Sequence, residues 1–148
     1  MATCRVDPGD TDMAARVAVH RSTRSAEWTT VEEFLDLGRR LSEVSHTCDV
    51  VVVDCLTLWL SNLLARGESS STIDTRIAEL RSAVTAASAH VIVVSNEVGM
   101  GVVPETLLGR VFRDLQGSVN QAVAEIADDV FLVTAGLAQR LKSLEGVS

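Results

Sequence analysis

Lysine is almost missing from this chain. Lys142 is the single example, and every other basic side chain apart from the histidines is arginine. A glycine-rich GxxxxGK[ST] segment is also lacking. These 148 residues therefore do not contain the motif whose backbone N–H groups and lysine cradle nucleotide phosphates. No apolar run approaches the ~20 residues a membrane helix needs, and Met1–Arg5 carries no apolar stretch of the secretory kind. The cysteines are few. Cys4, Cys48 and Cys55 form no CxxC pair, which argues against a zinc site and points to a reducing, cytoplasmic setting. Positive charge is short as well. A net charge of −7 is the wrong sign for a protein that coats nucleic acid. Small anions remain compatible, because a local basic cluster can oppose the global charge. Repeats, low-complexity tracts and proline-rich linkers are absent, so the chain, residues 1–148, reads as one domain with enough length for a core.

What is present is a mixture of two periodicities. Val50–Val53, Val91–Val94 and Val130–Val133 are short, continuous and rich in β-branched residues. They are expected to be buried strands of a parallel sheet covered on both faces. Thr30-Val31-Glu32-Glu33 has the form of a capping box ahead of Phe34, Leu35 and Leu41. Ile73, Ile77, Leu80 and Val84 recur at helical spacing, as do Leu107, Leu108, Val111, Phe112, Leu115, Val119, Val123 and Ile126. Pro104 stands where that second helix can begin, and residues 66–72 read as a loop. Strands alternating with helices imply an α/β layered fold. In such folds ligands meet the carboxyl ends of the strands. Two strands end in polar residues, Asp54 and Ser95-Asn96-Glu97, and a parallel sheet places both ends on one edge.

Each candidate residue has two readings. Asp54 after three valines is the hhhD pattern whose carboxylate meets a phosphate-bound magnesium ion; equally, it is a cap for the next helix. Ser95 through Glu105, with Gly99, Gly101 and Pro104, either brings backbone close to an anionic ligand or is an ordinary strand-to-helix loop. His20 stands among Arg16, Arg21 and Arg24. It is either a surface residue or a nucleophile held in a phosphate-binding cluster, with nearby arginines favouring its neutral form. Trp28 is read as a hydrophobic anchor rather than a base-stacking platform, and His46 and His90 as structural. Arg110, Arg113 and Asp114 on one helix read as a solvated face or, together with Asn120 and Gln121 one to two turns on, as a set of which part faces a site.

These segments together resemble one family. They are Asp12-Met13-Ala14-Ala15-Arg16-Val17-Ala18-Val19-His20-Arg21, Trp28-Thr29-Thr30-Val31-Glu32, and Asp54-Cys55-Leu56-Thr57-Leu58-Trp59-Leu60-Ser61-Asn62-Leu63-Leu64. Ser95 through Glu105, Arg110 through Gln121 and Val130 through Gly136 complete the set. The pattern resembles the bifunctional adenosylcobinamide kinase/adenosylcobinamide-phosphate guanylyltransferases of cobalamin biosynthesis, along essentially the whole chain. The NEVGxGxVPE and RDxxGxxNQ elements are its most specific parts.

The resemblance implies a P-loop NTPase fold of the RecA-like or nucleotide-kinase-like type, three-layered around a mainly parallel sheet. It implies phosphorylation of adenosylcobinamide, then GMP transfer from GTP to adenosylcobinamide phosphate through a GMP–histidine intermediate. The histidine corresponds to His20. The GTP contacts fall on Arg21, Ser22, Thr23, Arg24, Glu32 and Asp54, and Asp54 would hold Mg²⁺ accompanying the GTP or ATP substrate. The residue types suit these roles. Arginines offer forked donors to phosphate, and a Glu32 carboxylate can accept the N1–H and N2–H donors that distinguish guanine from adenine. A homotrimer is also implied. Two competing readings are a catalytically impaired nucleotide- or corrinoid-binding remnant of that enzyme and a fragment of a generic P-loop ATPase. The histidine–arginine segment and the NEVGMG run argue against the latter.

The family opens with a strand, a GGxxSGKS loop, a helix and a second strand. By resemblance, this sequence starts near the end of that second strand, at Ala2-Thr3-Cys4, with roughly 30 residues of strand–helix–strand unit outside it. A misplaced start codon or a damaged gene is the expected cause. Phosphoryl transfer depends on positioning and charge stabilisation, much of it supplied by that loop. The 148-residue chain alone is therefore expected to show no useful adenosylcobinamide kinase activity and to self-associate through unpaired strand edges. Assays with ATP, GTP and adenosylcobinamide, run beside a chain carrying a family strand–loop–helix–strand unit, check this. Equal kinase rates in the two would show that the loop is dispensable.

Overall fold

The β-branched runs do form strands. In the computed structural model, which describes residues 1–5, 9–23 and 25–143, β1 is Val50–Asp54, β2 His90–Val94 and β3 Val130–Thr134, joined by an additional β4, Leu137–Lys142. The helices are α1 Thr11–Ser22, α2 Leu37–Val44, α3 Leu56–Ala65, α4 Ser70–Ala86 and α5 Leu107–Ile126. β1 and β2 pair in parallel from Val50 opposite His90 to Asp54 opposite Val94. The carboxyl ends of these two strands thus share one edge, as expected.

The N-terminal residues extend this sheet. The Ala2 N–H donates to Val31 O at 2.8 Å and Ala2 O accepts from the Glu33 N–H at 3.1 Å. On the other side the Thr3 N–H donates to Asp54 O at 3.1 Å, and the Asp54 N–H donates to Met1 O at 3.0 Å. Both bridges are parallel, so residues 31–33, residues 1–3, β1 and β2 run side by side in one direction. Thr3 is fully buried, and its hydroxyl is satisfied twice by Cys55. It donates to Cys55 O at 2.7 Å and accepts from the Cys55 N–H at 2.8 Å. Asn62 Nδ2 donates to Thr3 O at 2.8 Å, tying α3 to the same segment.

The core lies on one face of this sheet. Val51 and Val53 pack with Leu37 and Leu41 of α2, Leu56, Trp59, Leu60 and Leu63 of α3, Ile73, Ile77 and Leu80 of α4, and Val119 and Val123 of α5. Each such side chain contributes ~1.5–3 kcal/mol on burial. Trp59 is wholly buried yet not orphaned, because its Nε1–H donates to Leu35 O at 2.9 Å.

Five expectations need correction. β2 and β3 are not covered on both faces: Ile92 is 52% and Phe131 55% exposed. Among the described residues β2 pairs only with β1, and β3 pairs antiparallel with β4 rather than joining the parallel sheet. The Ala135–Gly136 turn, with φ of 52° and 79°, is the positive-φ pair that closes a tight hairpin and draws β3 to β4. The Thr30–Glu33 capping box is not a helix start. Its backbone is extended and committed to Ala2, and α2 begins only at Leu37. Trp28 is half exposed and anchors nothing in the core. The fourth helix begins inside the expected loop, at Ser70 with Ser69 as its cap, and the fifth begins at Leu107, capped by Thr106 rather than started at Pro104.

α2 and α4 touch through a glycine. A Cβ at Gly38 would lie 2.8 Å from the Glu79 carbonyl carbon and 2.9 Å from Leu80 N, both backbone atoms. Backbone cannot yield as a flexible side chain does. Gly38→Ala is therefore expected to destabilise the fold by about 1–3 kcal/mol, read as a lower midpoint in urea or thermal unfolding. An unchanged midpoint would mean that the two helices can separate at little cost.

Candidate functional site

Helix α1 carries the residues of greatest chemical interest, although the sequence held no apolar stripe to announce it. Local signals account for it. Asp10 accepts from the Met13 N–H at 2.8 Å as an N-cap, and Asp12 pairs with Arg16 one turn on at 3.0 Å. His20 and Arg21 fall in the last turn, where positive charge suits the helix dipole. None of its residues is fully buried. Met13, Arg16, Val17, His20 and Arg21 lie on one side at helical spacing and line a concavity of about 210 Å³. Ala2, Cys4, Thr30, Glu32, Asp54 and Leu58 form its other walls.

The sheet explains why these walls meet. Residues 31–33, residues 1–3 and β1 are adjacent parallel segments, so Glu32, Cys4 and Asp54 gather at their carboxyl edge. α1 is set against that edge. His20 Nε2 lies 3.3 Å from Asp54 Oδ2, and the Arg21 guanidinium is paired with the Glu32 carboxylate. Four of the residues expected at a nucleotide site are therefore neighbours, though they come from three stretches of sequence. A second, wider concavity of about 450 Å³ adjoins it, lined by Ala15, Arg16, Val19, His20 and Thr23. His20 and Arg16 line both. The smaller space is below the roughly 300 Å³ floor of typical ligand pockets, so a nucleotide seated there would extend beyond it.

The remaining expected residues behave differently. Ser22 Oγ donates to Val19 O at 2.8 Å and Thr23 Oγ1 donates to His20 O at 3.1 Å. Both hydroxyls are occupied in finishing α1. Arg24 lies outside the described residues. Among the described residues no three His, Cys, Asp or Glu side chains converge as a metal cage. Mg²⁺ commonly takes only one or two carboxylates and completes its shell with phosphates and water, and Asp54 alone fits that mode.

A polar network at the end of β2 was only partly foreseen. Gln116, fully buried on α5, donates through Nε2 to Ser95 Oγ at 2.9 Å and to Asn120 Oδ1 at 2.8 Å. Ser95 Oγ donates to Asn120 Oδ1 at 2.6 Å, and Asn120 Nδ2 donates to Asn96 O at 3.1 Å. The Asn96 N–H in turn donates to Thr57 Oγ1 at 3.0 Å. The loop after β2 is thereby fastened to α3 and α5. Asn120 was read as partly site-facing. Gln116 was not singled out, and its signal is a polar residue one turn from Val119 on an otherwise apolar stripe. Arg110 donates to Pro104 O at 3.1 Å and to Glu105 O at 2.7 Å, holding the far end of the same loop.

A family profile described as CobU, cobinamide kinase / cobinamide phosphate guanyltransferase, matches residues 1–141. The chain belongs to this family. It is 37% identical over 145 residues to the bifunctional adenosylcobalamin biosynthesis protein CobU of Salmonella typhimurium, covering 90% of this chain and 80% of that protein. The CobU of Escherichia coli gives the same figures. The bifunctional adenosylcobalamin biosynthesis protein CobP of Pseudomonas aeruginosa is 40% identical over 134 residues, 90% of this chain and 77% of its own length. No helix of the described residues in this CobU-family chain is long and apolar enough to cross a membrane.

Cys4 offers a probe of the concavity. Partial burial pushes its thiol above the ordinary range, and Cys55, Asp10, Asp54 and Glu32 push the same way. A raised thiol pKa means less thiolate at any given pH, and the thiolate is the nucleophile. At pH 8 iodoacetamide is expected to modify exposed Cys48 first, with Cys4 slower by on the order of tenfold and gaining rate as the pH rises. Peptide mapping by mass spectrometry reads the order. Equal rates at pH 8 would contradict this environment for Cys4.

Proposed function

We propose that this chain serves in cobalamin biosynthesis as an adenosylcobinamide kinase/adenosylcobinamide-phosphate guanylyltransferase, and that the His20–Asp54–Arg21–Glu32 concavity is its guanylyl-transfer site. The observation that carries the proposal is the 3.3 Å approach of His20 to Asp54 at the carboxyl edge of a parallel sheet. The approach supports the reading because it sets the His20 imidazole at the strand edge where α/β folds bind ligands. Family membership supports the same reading. In this proposal the fold is of the P-loop nucleotide-kinase type, and the trimer implied by the resemblance is carried with it. The exposed apolar run Met100, Val102, Val103, Leu107 and Leu108 is compatible with an assembly surface.

The chemistry runs in two displacements. A ring nitrogen of His20 attacks the α-phosphorus of GTP, the bond to the β-phosphate oxygen breaks, and pyrophosphate leaves. A phosphate oxygen of adenosylcobinamide phosphate then attacks the same phosphorus. The N–P bond breaks, and adenosylcobinamide-GDP forms. Splitting one hard transfer into two easier ones is the benefit of a covalent carrier. Arg21, with Arg24, meets the phosphates, and Glu32 reads the guanine edge. Asp54 would hold Mg²⁺, which neutralises phosphate charge when bound.

The test uses the chain joined to a family strand–loop–helix–strand unit, with α-labelled GTP and magnesium. Label that survives base and is lost in acid marks a phosphoramidate. His20→Ala is expected to abolish it, and full labelling of that variant would overturn the assignment. Asp54→Ala is expected to lower GMP transfer by about 10–100-fold while leaving the unfolding midpoint nearly unchanged. Nucleotide binding without any label would favour the impaired-remnant reading instead.

A further inference from the structure

The hydrogen bonds at the end of β2 run in one direction and converge on Asn120. Gln116 Nε2 and the Ser95 hydroxyl both donate to Asn120 Oδ1, at 2.8 and 2.6 Å. Asn120 Nδ2 donates to Asn96 O at 3.1 Å, and the Asn96 N–H donates to Thr57 Oγ1 at 3.0 Å. The Asn120 amide has one workable orientation, since turning it over would set its oxygen against the Asn96 carbonyl oxygen. We propose that Asn120 is a positioning residue for guanylyl transfer. It clamps the strand end Ser95–Asn96 and, through Thr57, the first turn of α3 beside Asp54. This rests on the reading of the His20–Asp54 concavity as the transfer site.

The place of the clamp in the sheet gives it a target. Asp54 lies opposite Val94 in the parallel pairing of β1 and β2, so Ser95 and Asn96 leave the sheet beside the start of α3. That start has no side-chain cap of its own. One flank is held by the N-terminal segment, where the Thr3 hydroxyl bonds twice to Cys55 and Asn62 Nδ2 donates to Thr3 O. The other flank is tied by the bond from Asn96 to Thr57, and Asn120 holds Asn96 in place to make it. Glu32 is on the far side of residues 1–3, and its partner Arg21 belongs to α1. The clamp therefore bears on the side of the concavity that carries Asp54, and not on the Arg21–Glu32 pair that binds nucleotide in the proposed function.

Gln116 indicates that this network does more than stabilise the fold. The side chain is wholly buried, yet Oε1 accepts no hydrogen bond from the described residues. A buried acceptor without a partner opposes folding, and an apolar side chain of similar size would remove that cost. What the amide supplies is two N–H donors, one to Ser95 Oγ and one to Asn120 Oδ1. Local rules of core composition are broken in this way at functional sites.

Two measurements test the proposal separately. The first needs no activity and uses the 148-residue chain. Asn120→Asp keeps the side-chain shape and still accepts from Ser95 and Gln116, but it cannot donate to Asn96 O. Hydrogen exchange resolved to single amides is expected to show the Asn96 N–H exchanging about tenfold faster or more in this variant. The amides of Ile77 and Leu80 in α4 should keep their rates. Ser95→Ala removes one donor to Asn120 without adding charge, and it is read in the same way if Asn120→Asp does not fold. An unchanged Asn96 rate in the folded variant would overturn the clamp.

The second measurement uses the N-terminally completed chain, with labelling by α-labelled GTP timed across GTP concentrations. In Asn120→Asp the labelling rate at saturating GTP is expected to fall by about 10–100-fold, the loss that a displacement of about 1 Å can bring. The half-saturating GTP concentration should stay within about threefold of the parent's, because the nucleotide-binding pair is untouched. A merely structural role would lower the fraction of protein that labels and leave the rate of that fraction unchanged. That result, or a raised half-saturation at the parent's rate, would overturn the inference. Absence of label on the parent chain would instead defeat the functional proposal, and the exchange rates would still decide whether Asn120 holds the loop.

Discussion

The site depends on one backbone arrangement, the insertion of Ala2 and Thr3 between β1 and the extended residues 31–33. Hydrogen bonds on both sides of this short segment align three parallel stretches that are far apart in sequence. The buried Thr3 hydroxyl fixes the alignment through two bonds to Cys55. A buried hydroxyl without partners would cost several kcal/mol. With both bonds made, it sets the register instead. Asn62 reads the next carbonyl, so α3 is placed by the same few atoms. The positions of Glu32, Cys4 and Asp54 at a common edge follow from this register rather than from direct contacts among them.

The parts of this arrangement visible in the sequence were the local ones. The β-branched runs at 50–53 and 91–94 announced strands because such residues suit a pleated, buried surface. Ile73, Ile77 and Leu80 announced α4 because their spacing matches a helix face that is indeed buried. Thr30–Glu33 misled for a nonlocal reason. Its capping chemistry is genuine in form, but the backbone it would cap is held extended by Ala2. α1 escaped notice because its sequence offers a cap, an i,i+4 ion pair and terminal charges rather than an apolar stripe. β4 escaped because all six of its residues are exposed, so no alternation marks a face.

The site was legible in a different way. Nothing in spacing brings His20 to Asp54, which lie 34 residues apart in the chain. Their association was accessible only through the resemblance to a family whose motifs occur in the same order. Family motifs nominate residues without specifying which atoms meet. The pairing of Nε2 with Oδ2, the commitment of Ser22 and Thr23 to the helix end, and the network joining Gln116, Ser95 and Asn120 are all matters of three-dimensional register.

The pairing of Arg21 with Glu32 makes each the competitor of any ligand that the proposed function brings to the other. An anion that takes the guanidinium must displace the carboxylate, and a donor that takes the carboxylate must release the guanidinium. A ligand offering both an anionic group and a pair of N–H donors can satisfy both halves as it separates them, whereas one offering a single group leaves a widowed charge. Engagement of the two ends is then linked, and by thermodynamic reciprocity each end strengthens the other by the same factor. Under the proposed function, the pair favours a ligand that carries both features over one that carries only a phosphate.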